Sequence, residues 1–260
     1  MAYDEQASRA YIEKRFPRSS RAEREKIVQD WVNKEKQSES ISRDFERRVK
    51  PLAGLRILDV GSGNGGLSIA LARHGADVEG VDIEQDLVDI ARAEVSAIGS
   101  PAKFTYYEGD VLPFPDQSFD AAISVSVLEH VTGPVNFLSE VLRVMKPGGV
   151  FYLAVPNRLN PKETHTGLWG LSYLPRPLGR AYISLLRRGP LEDQNLHFYF
   201  YGDIRRMLDA ASVGGRHWKV RIERGASTST LKRGIKAALR AIGIPHQALL
   251  PHVMLVCEAS

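Results

Sequence analysis

The stretch "LDVGSGNGG", residues 58–66, places four glycines within nine positions, directly after an apolar run that carries an acid. Glycine allows tight turns and close approach of a ligand to the backbone, so this pattern marks the turn from a buried strand into a helix. The glycines fit two spacings. Gly61, Gly63 and Gly66 give G-x-G-x-x-G, the dinucleotide fingerprint, while Gly61, Gly63 and Gly65 give the G-x-G-x-G of methyl-donor binders.

Outward from the loop, apolar runs alternate with helical patterns. Strands are expected at "LRILDV" (55–60), "ADVEGVD" (76–82), "AKFTYYEGD" (102–110), "FDAAISVSV" (119–127) and "VFYLAVPN" (150–157), with two more at 217–225 and 252–259. Helices fall between the first five, at 64–75, 84–99 and 133–149. This alternation predicts an α/β, Rossmann-like fold with a seven-stranded, mostly parallel sheet and helices on both faces. Residues 1–50 read as an N-terminal helical arm with helices near 20–37 and 40–50, stopped by Pro51, and residues 51–260 as the main domain. Residues 157–200, rich in Pro, Gly and aromatics, read as a lid inserted after strand five.

The chain has 260 residues and is 43% hydrophobic, enough for a substantial core. Its one cysteine, Cys257, excludes an internal disulfide, and the opening "MAYDEQASRAYIEKRFPRSS" has no apolar segment of a secretory signal. A cytoplasmic protein is expected. Charge is split: residues 1–155 carry 19 Lys+Arg against 24 Asp+Glu, whereas residues 156–245 carry 16 against 6. A basic second half fits either an anionic partner or a solvated face.

Three aspartates accompany the glycines. Asp59 precedes Gly61 by two residues, where a carboxylate repels a pyrophosphate but welcomes the ammonium of a sulfonium donor. Asp82 closes the second strand and can accept from both ribose hydroxyls, which either cofactor class offers. Asp110 ends the third expected strand, placed to accept from an adenine amino group.

"ILDVGSGNGGLSIALARHGADVEGVD", "GDVLPFPDQSFD", "SVSVLEHV" and "EVLRVMKPGGVFYLAVPN" together resemble the successive motifs of class I S-adenosylmethionine-dependent methyltransferases, nearest the type 11, ubiquinone/menaquinone-biosynthesis-like set. The resemblance covers residues 50–157 and leaves out the arm and residues 158–250, where acceptor selectivity is expected. It implies S-adenosyl-L-methionine as cofactor and S-adenosyl-L-homocysteine as product. It places Asp59, Gly61, Ser62, Gly63 and Gly65 at the methionine end and Asp82 at the ribose. Ile83, Asp110 and Val111 fall at adenine, and Ser124 and Val125 beside the methionine portion.

Methyl transfer to a hydroxyl gains from a general base with a pKa near neutrality. "LEHV" offers Glu129 and His130, and the lid adds His165 and His197 as alternatives. Related quinone-pathway enzymes place E-x-x-E-H here and use a divalent cation. This chain has Ser126 in place of the first glutamate, so a hard-cation site lacks a ligand and no metal is expected. Trp169, Tyr173, Phe198, Tyr199 and Tyr201 could wall a lipophilic or aromatic acceptor, or simply pack the lid onto the sheet. The basic amphipathic pattern at 231–242 offers peripheral contact with a membrane surface, or an ordinary surface helix.

The expected activity is methylation, first of a hydroxyl, with N- or C-methylation as alternatives, on a small lipophilic or glycosyl-containing acceptor by a monomer or homodimer. The rivals are an NAD-dependent oxidoreductase, a noncatalytic donor-binding scaffold and a nucleic-acid methyltransferase. Asp59 opposes the first and Glu129 with His130 the second. The third lacks an N/D-P-P-Y/F-type motif after strand four, so no nucleic-acid partner is expected.

Overall fold

The computed structural model describes residues 5–15, 17, 21–32, 34–49, 51–163, 168–186, 196–221 and 252–260. His165 and the basic segment 231–242 lie outside the described residues. The strands are β1 (Arg56–Val60), β2 (Asp77–Asp82), β3 (Lys103–Tyr106), β4 (Phe119–Val125), β5 (Met145–Pro156), β6 (Ser212–Val213), β7 (Arg216–Arg221) and β8 (His252–Ala259). They form one sheet in the order β3-β2-β1-β4-β5-β8-β7-β6. The first five are parallel, and β8, β7 and β6 pair antiparallel.

Eight strands stand where seven are expected. The addition is β6, a two-residue strand folded onto β7 across Gly214 and Gly215. Both glycines have positive φ, 56° and 79°, as a tight hairpin turn demands. The strand order reverses between β1 and β4, and in open α/β sheets such a switch point opens a ligand crevice beyond the strands' carboxyl ends.

Successive residues of the central strands feed opposite faces, as the strand period of two requires. Leu58, Ala122, Phe151 and Leu153 pack against α6 (Pro134–Val144) and α8 (Tyr201–Ala210) on one side. Ile57, Ala121, Ile123 and Tyr152 face α4 (Gly66–Arg73), α5 (Gln85–Ile98) and α3 (Lys34–Arg48) on the other.

The N-terminal segment departs from the expected pair of helices. It forms α1 (Glu5–Arg15), α2 (Arg21–Val32) and α3, because Tyr11 and Ile12 gain burial against Val28 that their sparse spacing does not advertise. α3 packs on α4 as part of the layer that covers the sheet. Its Phe45 is fully buried and meets Tyr152 edge-on at 5.8 Å, and the Tyr152 hydroxyl donates to Asp44 Oδ2 at 3.1 Å.

After β5 the chain forms a 3-10 turn at Leu171–Tyr173 and α7 (Arg176–Leu185). Leu168, Leu171 and Ile183 make a small core with Tyr182 and Phe198. Among the described residues, no helix is long and apolar enough to cross a membrane.

Candidate active site

A cleft of about 410 Å³ opens at the switch point. Gly61 lines it from the loop after β1, Asp82 and Ile83 from the end of β2, Asp110 from the loop after β3, and Ser126 and His130 from the turn after β4. Its charged lining is carboxylate throughout: Asp82, Glu84, Glu108 and Asp110, with no Lys or Arg among the lining residues.

The glycine loop is shaped by backbone hydrogen bonds. The N–H groups of Gly61 and Ser62 both donate to Val81 O, at 2.8 and 2.9 Å, folding the loop toward β2. Gly61 has φ +78°, and a Cβ there would fall 2.3 Å from Val127 Cγ2, so no other residue fits. Gly63 has φ +55°, with nothing within 4 Å of an added Cβ, so its outer face is open to a ligand.

Asp82 is the hinge of the site. Its Oδ2 accepts from Gly63 N–H at 2.8 Å and its Oδ1 from Glu84 N–H at 3.0 Å. Burial raises its pKa above the ordinary carboxylate range, against the pull of those N–H donors. Asp59 lies beneath the loop, 2% exposed and outside the cleft lining. It accepts from the Ser68 hydroxyl at 2.6 Å. Complete burial pushes its pKa up to about 7, and the nearby Asp82 charge adds to the rise, while the Ser68 hydrogen bond opposes it.

Asp110 stands four residues beyond the end of β3 instead of terminating it, on an exposed loop. Ile83, which lines the cleft, is 57% exposed, and Val111, 67% exposed, stands outside the lining. Ser124 is fully buried and Val125 packs into the core, so neither lines the cleft. Ser126 and Val127 line it in their place. Ser126 takes φ +58°, a left-handed conformation that costs a non-glycine residue about 1 kcal/mol. No sequence signal announces it.

Glu129 is buried in the 3-10 turn Leu128–His130, and the His197 N–H donates to its carbonyl at 2.7 Å. The second stem of the lid therefore meets the turn that carries His130. The His197 and Tyr199 rings stack at 6.0 Å. Of the proposed bases within the described residues, His130 lines the cleft, whereas Glu129 and His197 stand behind it. Trp169 and Tyr173 are exposed on the lid, away from the cleft lining. Glu84, Leu87, Tyr107 and Thr132 line the cleft without having been singled out in the sequence.

The donor set fits a cationic donor that carries a diol and no phosphate. The carboxylates of the cleft can accept from an ammonium and from a pair of hydroxyls. Three buried polar atoms nearby, Ser62 Oγ, Asn64 Nδ2 and Ser124 Oγ, have no hydrogen-bonding partner among the described residues. A pyrophosphate would meet only like charge. No group of three or more potential metal ligands is present among the described residues.

Residues 58–153 match a family model described as a methyltransferase domain. The chain is 33% identical over 144 residues to the ubiquinone biosynthesis O-methyltransferase of Ruegeria sp. (strain TM1040), a match covering 54% of this chain and 58% of that protein. The chain thus spans little more than half the length of the curated relatives it matches. Among solved structures, an S-adenosylmethionine-dependent methyltransferase from Mesorhizobium loti superposes with TM-score 0.55 at 19% identity, covering 84% of this chain and 96% of that one. The [4+2]-cyclase SpnF superposes with TM-score 0.54 at 20% identity, covering 85% and 80%. These likenesses establish the fold, and the cyclase shows that the fold hosts more than one chemistry.

Proposed function

From a chain that carries a methyltransferase domain at residues 58–153, we propose an enzyme that methylates a hydroxyl of a small, lipophilic acceptor with S-adenosyl-L-methionine, in the cytoplasm. The observation that carries this reading is the cleft at the switch point, lined by carboxylates with no Lys or Arg among its described lining residues, and with His130 on its wall.

Bound S-adenosylmethionine supplies a methyl group already activated by the sulfonium charge. Asp82 accepts from the Gly63, Glu84 and Ile83 N–H groups, and its remaining lone-pair capacity would serve the ribose hydroxyls. The open face of Gly63 receives the methionine end, and Asp59 supplies negative charge from below. Ile83 would lie against the adenine ring, with Val111 nearby, and Asp110 would accept from its amino group. His130 takes the acceptor's proton.

The relatives named for ubiquinone biosynthesis favour an O-linked, lipophilic acceptor. Contact of 231–242 with a membrane surface, and a monomeric or homodimeric state, belong to the same reading. Vesicle sedimentation and light scattering test them. The acceptor assignment is tested by incubating the full chain with methyl-labelled donor and a panel of phenols, catechols, amines and sugar hydroxyls. Label on a phenolic or catecholic oxygen supports it, and label on nitrogen or carbon alone refutes it.

A further inference from the structure

The N-terminal helix α1 reaches the acidic rim of the cleft. The Tyr11 hydroxyl donates to Glu84 Oε2 at 2.8 Å, and Arg15 Nε stands 3.5 Å from Glu84 Oε1. Lys14 pairs with Asp86 in the first turn of α5. Glu84 is the residue whose own N–H holds Asp82 Oδ1. Both Glu84 and Leu87 line the cleft, so this short segment has one side on the cleft and the other on the arm.

The contact is built into the arm's packing. Tyr11 is 8% exposed and stacks on Trp31 at 5.3 Å. With Ile12 and Val28 it forms an apolar cluster against Leu87 and Ile90 of α5. Burial and the Glu84 carboxylate both hold the phenol's pKa far above its usual value, so the hydroxyl remains a donor at any working pH. The chain Tyr11–Glu84–Asp82–Gly63 thus links the arm to the glycine loop through three hydrogen bonds.

We propose that Tyr11 is a positioning residue for the cofactor: through Glu84 it fixes the ribose-binding wall, so the N-terminal arm is part of the donor site and governs how fast donor and product exchange. This rests on the reading that the cleft takes S-adenosylmethionine. It makes a distinction that a purely structural arm does not. Loss of the hydroxyl should act on ligand dissociation, leaving the acceptor side and the fold in place.

The test uses the full chain and its Tyr11→Phe variant, with S-adenosylhomocysteine as probe. Its dissociation rate is read by stopped-flow displacement, its affinity by calorimetry, and the melting temperature alongside. The Tyr11→Phe change should speed dissociation about three- to tenfold, the scale of one ordinary hydrogen bond felt through an intervening residue. Donor KM should rise in step, while acceptor KM and the melting temperature hold. Glu84→Gln reads the same contact from its other side, and its effect should not add to that of Tyr11→Phe. It also serves alone should Tyr11→Phe not fold. An unchanged dissociation rate in the variants, with or without a lower melting temperature, would make the contact one of packing only and overturn the proposal. Absence of S-adenosylhomocysteine binding by the unmodified chain would instead overturn the donor reading, and this proposal with it.

Discussion

Asp82 Oδ2 accepts the Gly63 N–H at 2.8 Å, so the acid that closes β2 also fixes the glycine loop that follows β1. On the proposed reading of the site, one carboxylate couples ribose recognition to the shape of the loop that meets the methionine end. Asp82→Asn keeps the side chain's size but sets an amide against the backbone N–H donors of Gly63, Ile83 and Glu84. Hydrogen bonds to charged groups are worth roughly 1.5–3 kcal/mol each. Donor affinity should fall more than tenfold in a variant that still folds. Calorimetry finding the affinity intact would remove Asp82 from the site.

The two buried acids make binding depend on pH. Asp59 is pushed up to about 7, chiefly by burial, and Asp82 is raised for the same reason. A raised carboxyl keeps its proton in the folded chain after the unfolded chain, with a pKa of about 3.9, has lost it. Its stabilising contribution is therefore complete below about pH 4 and lost as pH rises through about 7. The ligand-free protein should become less stable across that window. A cationic donor favours the ionised acids, so its affinity should climb over the same range with release of protons. Titrations in buffers of different ionisation enthalpy count them, and a count of zero at pH 6 would contradict the assignment.

Arg143 bolts down the loop that carries Asp110 and Val111. It donates to Phe114 O and Leu112 O at 2.9 Å, to Asp116 at 2.7 Å and to Glu140 at 2.9 Å, while Glu140 also accepts the Leu112 N–H at 3.0 Å. Lysine cannot reproduce that planar fork. Arg143→Lys should destabilise the protein by about 1–3 kcal/mol and speed hydrogen exchange at 110–118. Protection matching the parent protein would show the loop to be held by other means.

Phe45 tests where the folding unit begins. It is fully buried against the sheet although it belongs to the N-terminal segment. Phe45→Ala should cost about 3–5 kcal/mol, visible in denaturant unfolding as a lower midpoint with an unchanged slope. A cost under about 1 kcal/mol would mean that residues 1–50 are an arm separable from the α/β unit.

The central sheet was legible because Ile57–Leu58, Ala121–Ala122 and Phe151–Tyr152 are apolar on both faces, the mark of covered parallel strands. The glycine loop and Asp82 were legible because a positive φ and a strand-end acid leave a residue-type signature. β6 is too short to have a period, and only the Gly214–Gly215 turn betrays it. α1 was hidden because Tyr11 and Ile12 are buried by contacts with α2 and α5, not by a run of their own. Ser126 and Glu84 reach the cleft by the convergence of loops distant in sequence, which local spacing does not encode. Sequence reasoning set Ser124 and Val125 at the cleft, but β4 buries them and leaves the lining to the residues that follow.

The central claim is that this cleft holds a sulfonium methyl donor and no dinucleotide. The most direct measurement is calorimetric titration of the unmodified chain with S-adenosylmethionine, S-adenosylhomocysteine and NAD in separate runs. Saturable one-site binding of the first two is expected, weakened in Asp82→Asn, with no heat of binding from NAD beyond dilution. Saturable binding of NAD with none of S-adenosylmethionine would contradict it.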